Sequence, residues 1–170
     1  MSKCLTDFIL LARLDEATLT VDGAEGEWDL KVRIPSWASD GATVSVNDEN
    51  AATGEPGTYV TVSRTWVSGD TVKVRLPMHL RVIPANDDPN VAALAFGPVV
   101  LSGNYGETTL KTNPTLDLGS VKRRDDGSGG LAFTGTADGK AVELGPFYDA
   151  HGHNYVVYWQ KSGDLPSASH

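Results

Sequence analysis

Trp28-Asp29-Leu30-Lys31-Val32-Arg33-Ile34 is the stretch that decides the fold class of this chain. Apolar residues occupy every second position in it, and charged residues occupy the positions between them. This period of two is typical of a β-strand with one face buried and the other in solvent. Pro35 follows directly and ends the strand, because proline cannot donate a hydrogen bond to a sheet ladder.

The same alternation recurs in short segments along the chain, with turn-forming residues between them. These segments are residues 43–46, 58–64, 71–76 and 80–82. Residues 91–101 are apolar almost throughout and are divided by Gly97-Pro98, which indicates a strand buried on both faces and broken in its middle. Further strands are predicted at residues 131–133, 141–144 and 155–159. Short strands at this spacing are typical of a β-sandwich.

A polar stretch, residues 104–130, interrupts the pattern and indicates a boundary or an insertion. We therefore predict an all-β fold, an antiparallel β-sandwich of the jelly-roll type, over residues 16–162. A smaller β lobe inserted at about residues 104–145 is the open alternative to a continuous sandwich. Residues 1–15 are predicted to be a loosely ordered or non-native segment, and residues 163–170 a disordered tail.

The charge and the cysteine content exclude several classes of function. The net charge of −8 opposes binding to phosphate backbones and anionic lipid surfaces, so neither nucleic acid nor a membrane is expected as a partner. The single cysteine, Cys4, excludes an internal disulfide and a cysteine-based zinc site. The apolar run at residues 8–12 is far shorter than the roughly 20 residues of a membrane-spanning helix. A soluble chain of unassigned compartment is expected.

Several segments, in a fixed order, resemble a known family. They are RIPSWA at 33–38, YVTVSRTWVSGD at 59–70, LPM at 76–78, AFGPVVL at 95–101, PFYDAH at 146–151 and YVVYW at 155–159. Together they resemble the region downstream of the catalytic barrel in glycoside hydrolase family 127, the β-L-arabinofuranosidase-like proteins. The resemblance covers roughly residues 17–160.

This resemblance implies that catalysis takes place outside the segments it covers. In the family, a cysteine nucleophile and a zinc ion held by cysteines and a glutamate belong to the upstream helical barrel. No catalytic residue can be transferred to this sequence, since Cys4 lies in a stretch that matches nothing in the family. We therefore expect an accessory module without a cofactor, whose parent protein is a glycoside hydrolase. Its implied partners are the catalytic barrel and a second copy of the module.

Aromatic side chains suggest an alternative function, carbohydrate binding, because flat rings stack on sugars. Trp28 and Trp159 lie on the apolar side of their strands and are predicted to be core. The candidates for a surface that binds a plant-type polysaccharide are Trp37, Tyr59, Trp66 and Tyr105. Trp66 also fits a structural role, in which it holds its turn, residues 64–70, against the sandwich.

Metal binding and independent catalysis are the remaining alternatives. His151 and His153, with Asp149 nearby, are weak candidates for metal ligands, because residues two apart share one face of a strand. Histidines in a glycine-containing turn are more often solvated, so no metal site is predicted. A small enzyme would need two carboxylates facing each other across a cleft. The acidic pairs here, such as Asp87-Asp88, are instead typical of solvated turns.

Overall fold

The computed structural model describes residues 15–23, 25–125 and 130–166. The regular elements among these residues are all strands, apart from one 3-10 helix of three residues, Phe147–Asp149. The predicted all-β class is therefore confirmed. The chain divides into two compact units, Met1–Met78 and His79–His170. The predictions for residues 1–14 and 167–170 concern positions outside the described residues.

The first unit contains six strands in two sheets. They are β1 (Glu16–Thr20), β2 (Gly26–Arg33), β3 (Ala42–Val46), β4 (Glu49–Gly54), β5 (Tyr59–Trp66) and β6 (Thr71–Arg75). One sheet has the order β1-β6-β3-β4, and the other is the antiparallel pair β2-β5. Leu30 lies opposite Val62 in that pair, so the alternating apolar residues of both strands share one face. They pack with Val44 and Val72 of the other sheet in one hydrophobic cluster.

The second unit contains eight strands. They are β7 (Leu80–Pro84), β8 (Val91–Phe96), β9 (Val99–Asn104), β10 (Thr115–Arg124), β11 (Ala132–Ala137), β12 (Lys140–Pro146), β13 (Tyr155–Val156) and β14 (Tyr158–Ser162). The pairings close a ring, β8-β9-β12-β11-β10-β14, which returns to β8. This ring is a β-barrel, with β7 added beside β8 and β13 added beside β9. The β10–β14 pair is parallel, and the other pairs of the unit are antiparallel.

Several details of the predicted architecture differ from this structure. Residues 104–145, for which an inserted lobe was the open alternative, supply β10, β11 and β12 to the same barrel as β8 and β9. The strand predicted at residues 155–159 is divided into β13 and β14, and β14 pairs with β8 and β10 inside the second unit. The break predicted at Gly97-Pro98 is present, where it forms the turn between β8 and β9.

Three strands, β1, β4 and β10, were not predicted, and in β4 and β10 the sequence hides the alternation. In β10 the buried residues are Leu116, Leu118 and Val121, and a register shift between residues 117 and 122 puts the last of them out of phase. In β4 the sequence ENAATG has almost no apolar contrast, since β4 is an edge strand paired only with β3. No helix in the described part of the chain is long and apolar enough to cross a membrane.

The interior of the barrel contains a close contact between a glycine and a large ring. Trp159 is 1% exposed. A β-carbon added to Gly103 in β9 would lie 2.6 Å from Cζ2 of Trp159. Gly145 lies on the neighbouring strand, β12, and a β-carbon there would meet no heavy atom within 4 Å. The two glycines therefore differ in packing although both are in strands.

We predict that Gly103→Ala lowers the free energy of unfolding by about 1 to 3 kcal/mol, because a rigid indole ring must move to admit the methyl group. Gly145→Ala is the matched control, and it should be neutral or slightly stabilising, since alanine reduces the entropy of the unfolded chain. Urea unfolding followed by tryptophan fluorescence measures both. Equal stability of the two variants would contradict the assigned packing.

Candidate functional surfaces

Trp66 closes the edge of the β2–β5 pair. Its indole is 0% exposed, and its Nε1 donates a hydrogen bond to the backbone oxygen of Trp28 at 3.0 Å. The rings of Trp66 and Trp28 are stacked, with centroids 4.8 Å apart. The guanidinium of Arg64 lies 5.3 Å from the centre of the Trp66 ring. Trp66 thus holds the end of β5 to β2, and it has no free ring face for a sugar.

Asp70 organises the turn that follows Trp66. Its side chain is 4% exposed, and it accepts hydrogen bonds from Nδ2 of Asn47 at 2.8 Å and from the backbone N–H of Val67 at 3.0 Å. Nη2 of Arg64 lies 3.8 Å from the same carboxylate. The hydrogen bond from Asn47, followed by that from Val67, lowers the pKa of Asp70, because both stabilise the ionised form. Asp70 therefore joins the β3–β4 turn to the β5–β6 turn.

This network predicts a specific dependence of stability on pH. A carboxyl group whose pKa is lower in the folded state stabilises the protein above its unfolded pKa, and this stabilisation is lost as pH falls through the folded pKa. Asp70→Asn should therefore lower the melting temperature at pH 7, and the difference from the parent should shrink below the ordinary value of 3.8. Thermal unfolding by circular dichroism at pH 7, 5 and 3 measures it. Asp29→Asn, at an exposed position of β2, is the control. A difference in melting temperature between Asp70→Asn and the parent that is the same at all three pH values would contradict the network.

The two other aromatic candidates of the first unit lie in different environments. Trp37 is half-buried and packs against the hydrophobic cluster. Tyr59 is 61% exposed at the start of β5, and the guanidinium of Arg33 lies 5.5 Å from its ring centre. Tyr59 is therefore more exposed than Trp37.

Tyr105 is the candidate in the second unit, where it follows β9. Its backbone N–H donates to the backbone oxygen of Asn154 at 2.9 Å, which fixes the turn. Its ring is half-buried and lies 6.1 Å, centre to centre, from that of Trp159. Burial, and then the negative charge of Asp138, raise the pKa of the Tyr105 hydroxyl. The side chain forms one wall of a pocket of 420 Å³.

The weak metal candidates lie in the connection between β12 and β13. Asp149 ends the 3-10 helix, and its backbone oxygen accepts a hydrogen bond from the N–H of His151 at 2.9 Å. His153 lies on the wall of a separate pocket of 180 Å³, to which Asp149 also contributes. Among the residues whose positions are described, no group of three or more His, Cys, Asp or Glu side chains is placed to hold a metal ion.

An exposed aromatic patch in the second unit was not predicted from the sequence. We define the aromatic patch as Val100, Asn113, Phe147 and residues 155–158, which line an open groove of 530 Å³. Tyr155 and Tyr158 are 45% and 54% exposed, and the rings of Phe147 and Tyr155 meet edge to face at 5.4 Å. Apart from the two tyrosine hydroxyls, the side-chain amide of Asn113 is the only polar group among these side chains. The patch is thus apolar, with tyrosine hydroxyls at its surface.

The sequence carries little signal for this patch, because residues 155–159 are all apolar or aromatic. The run YVVYW at 155–159 predicts one strand. The structure divides it at Val157 into β13 and β14, which pair with different strands. Trp159 alone is buried, whereas Tyr155 and Tyr158 both face solvent.

Comparison with solved structures shows which proteins share this fold. A structure described as a glycoside hydrolase aligns with a TM-score of 0.69 and 20% identity, covering 90% of this chain and 31% of that chain. A GH127 beta-arabinofuranosidase aligns with a TM-score of 0.70 and 21% identity, covering 92% and 32%. A GH127 beta-L-arabinofuranosidase from Geobacillus stearothermophilus T6 aligns with a TM-score of 0.70 and 23% identity, covering 89% and 29%. These matches show a shared fold.

A family model matches part of the chain. Residues 10–78 match the model described as "Beta-L-arabinofuranosidase, GH127 middle domain". The resemblance to glycoside hydrolase family 127 is therefore confirmed, and it extends to the structural matches over most of the chain. The chain spans 29 to 32% of the length of those matched structures. No curated protein matches it in sequence.

Proposed function

We propose that this chain is a non-catalytic accessory region of a family 127-like glycoside hydrolase and that it packs on the catalytic barrel of that protein. The observation that carries the proposal is the match of residues 10–78 to the GH127 middle domain. The chain aligns with about a third of each matched glycoside hydrolase, which is the relation expected of a part that accompanies a larger catalytic region.

The arrangement of the first unit supports a structural role. The family-like turn at residues 64–70 is occupied by internal contacts: Trp66 bonds to Trp28, and Asp70 bonds to Asn47 and Val67. These side chains stabilise the unit through contacts within it. We infer that the unit is a small β-sandwich, since its two sheets contribute to one hydrophobic cluster.

The aromatic patch is the surface that we propose for docking. Exposed apolar patches rimmed by polar groups mark interaction sites on soluble proteins. Tyrosines are enriched at such interfaces because the ring is apolar and the hydroxyl can still form a hydrogen bond. Tyr155 and Tyr158 fit this description, with Phe147 and three valines between and beside them. A second copy of the chain is the alternative occupant.

The accessory role predicts that the purified chain does not hydrolyse aryl arabinofuranosides, because the nucleophile that the resemblance implies lies in the barrel. Release of the aryl group, followed by absorbance, measures this, and Cys4→Ala should behave as the parent does. Turnover that survives repurification and disappears in a point variant of this chain would contradict the proposal.

The docking surface predicts self-association of the isolated chain, since an uncovered apolar patch favours contact with a second copy. Sedimentation velocity over a wide concentration range should show dimers or larger species, and the double variant Tyr155→Ser, Tyr158→Ser should shift them to monomer. Tyr59→Ser is the matched control, because Tyr59 is as exposed but lies in the first unit. A parent chain that is monomeric at every concentration would count against an apolar docking surface.

A further inference from the structure

The pocket beside Tyr105 shares no lining residue with the docking groove. It has a volume of 420 Å³ and is lined by residues from the turn after β9 and from the β11–β12 hairpin. Its polar and aromatic wall consists of Asn104, Tyr105, Thr108, Asp138 and Lys140. Small-molecule sites typically have volumes of about 300 to 1,000 Å³ and combine an apolar wall with a few polar groups. Val142 and Ala137 supply the apolar part here.

The hairpin tip that carries Asp138 is held in place by the backbone. Asp138 and Gly139 have φ values of 48° and 73°, the left-handed conformation that a two-residue hairpin turn requires. The N–H of Asp138 donates to the backbone oxygen of Thr115 at 3.0 Å, and Oδ1 of Asp138 accepts from the N–H of Thr115 at 3.0 Å. These two bonds fix the tip against the start of β10. The rim of the pocket is therefore set by the fold before any ligand arrives.

The charged groups of the rim offer both donors and acceptors. Oδ2 of Asp138 accepts no hydrogen bond from any described residue, and the Lys140 ammonium forms no ion pair with one. Lys140 immediately follows the turn, opposite Ala137, and lines the same pocket as Asp138. The two charges are opposite, so the rim favours neither anions nor cations as a class. Asn104 and Thr108 add uncharged polar groups.

Tyr105 supplies the flat surface in this pocket. The negative face of an aromatic ring attracts the polarised C–H groups of a ligand through its quadrupole. The turn that carries Tyr105 is fixed at both ends, since its N–H bonds to Asn154 and its oxygen accepts from the N–H of Thr108 at 2.9 Å. A tyrosine hydroxyl is protonated at neutral pH, and the raised pKa of Tyr105 agrees with this, so the group can donate a hydrogen bond.

We propose that this pocket binds one uncharged sugar residue, with a face of the sugar ring against Tyr105 and neighbouring hydroxyls bonded to Asp138 and Lys140. A sugar presents C–H groups on one side and alternating donor and acceptor hydroxyls at its edge, which matches an aromatic wall with a carboxylate and an ammonium on the rim. The site is separate from the aromatic patch, so the inference does not depend on docking to a catalytic barrel.

Chemical-shift perturbation in a ¹⁵N-labelled sample of the full chain tests the proposal. L-Arabinose, D-xylose and D-glucose are added singly up to about 50 mM, a range that detects dissociation constants near 1 mM. At least one sugar should give saturable shifts at the amides of Tyr105, Asp138 and Lys140. Glycine and inorganic phosphate, added in the same range, should give none there.

Substitutions then separate binding from folding. Tyr105→Ala should weaken the sugar about tenfold or more, and Tyr105→Phe should retain most of the affinity, because the stacking face remains. Lys140→Gln and Asp138→Asn should each weaken it about threefold to tenfold at unchanged melting temperature, since asparagine tolerates the left-handed backbone and keeps the acceptor for Thr115. Tyr148→Ala and Lys31→Gln are controls at exposed positions outside the pocket, and they should bind as the parent does.

Three results would overturn the proposal. The first is the absence of saturable shifts with every sugar. The second is equal or tighter binding of glycine or phosphate at these amides, which would assign the pocket to a charged ligand. The third is unchanged sugar affinity in Lys140→Gln and Tyr105→Ala, provided that both variants keep the folded spectrum of the parent.

Discussion

One edge of β8 is shared by two strands, and the second unit depends on this arrangement. β7 pairs with Ala92–Phe96 along one edge. Because a strand has only two edges, β14 and β9 must divide the other, and they pair with residues 91–93 and 94–96 respectively. This division closes the barrel without leaving an unpaired stretch between its first and last strands. It also brings Trp159 of β14 against Gly103 of β9, where the close contact leaves no room for a side chain on the glycine.

The two surfaces of functional interest both follow from closure of the barrel. The aromatic patch forms where β13 and β14 separate at Val157, because the two strands pair with different neighbours and turn Tyr155 and Tyr158 outward. The pocket beside Tyr105 forms where the β11–β12 hairpin tip meets the turn after β9. In both places the backbone is held by pairing on either side, so side chains on irregular segments are positioned by a rigid frame.

Local periodicity was sufficient to predict most strands, but not the way in which the second unit closes. The alternation around Leu30 and Val62 predicted β2 and β5, and the apolar run at 91–101 predicted one strand, broken at Gly97-Pro98, where the structure has β8 and β9. Pairing between distant strands leaves no such local signal, so the barrel and the parallel β10–β14 pair could not be read from the sequence. Of the candidate aromatic residues, Tyr59 and Tyr105 are accessible, whereas Trp66 is enclosed. The accessible tyrosines 155 and 158 were missed because an unbroken aromatic run resembles a buried strand.

The pairing of β8 with β14 also has a consequence for the order of folding. The contact joins Val91 to Gln160, so the ring is incomplete until the last strand has been synthesised. Pairings between residues so far apart in sequence must overcome a large loop-closure entropy, and such topologies fold slowly. The first unit has its most distant strand pair, β1 with β6, complete at residue 75. During translation the first unit can therefore acquire its hydrogen bonds while the second is still an open sheet, exposed to chaperones and to other nascent chains.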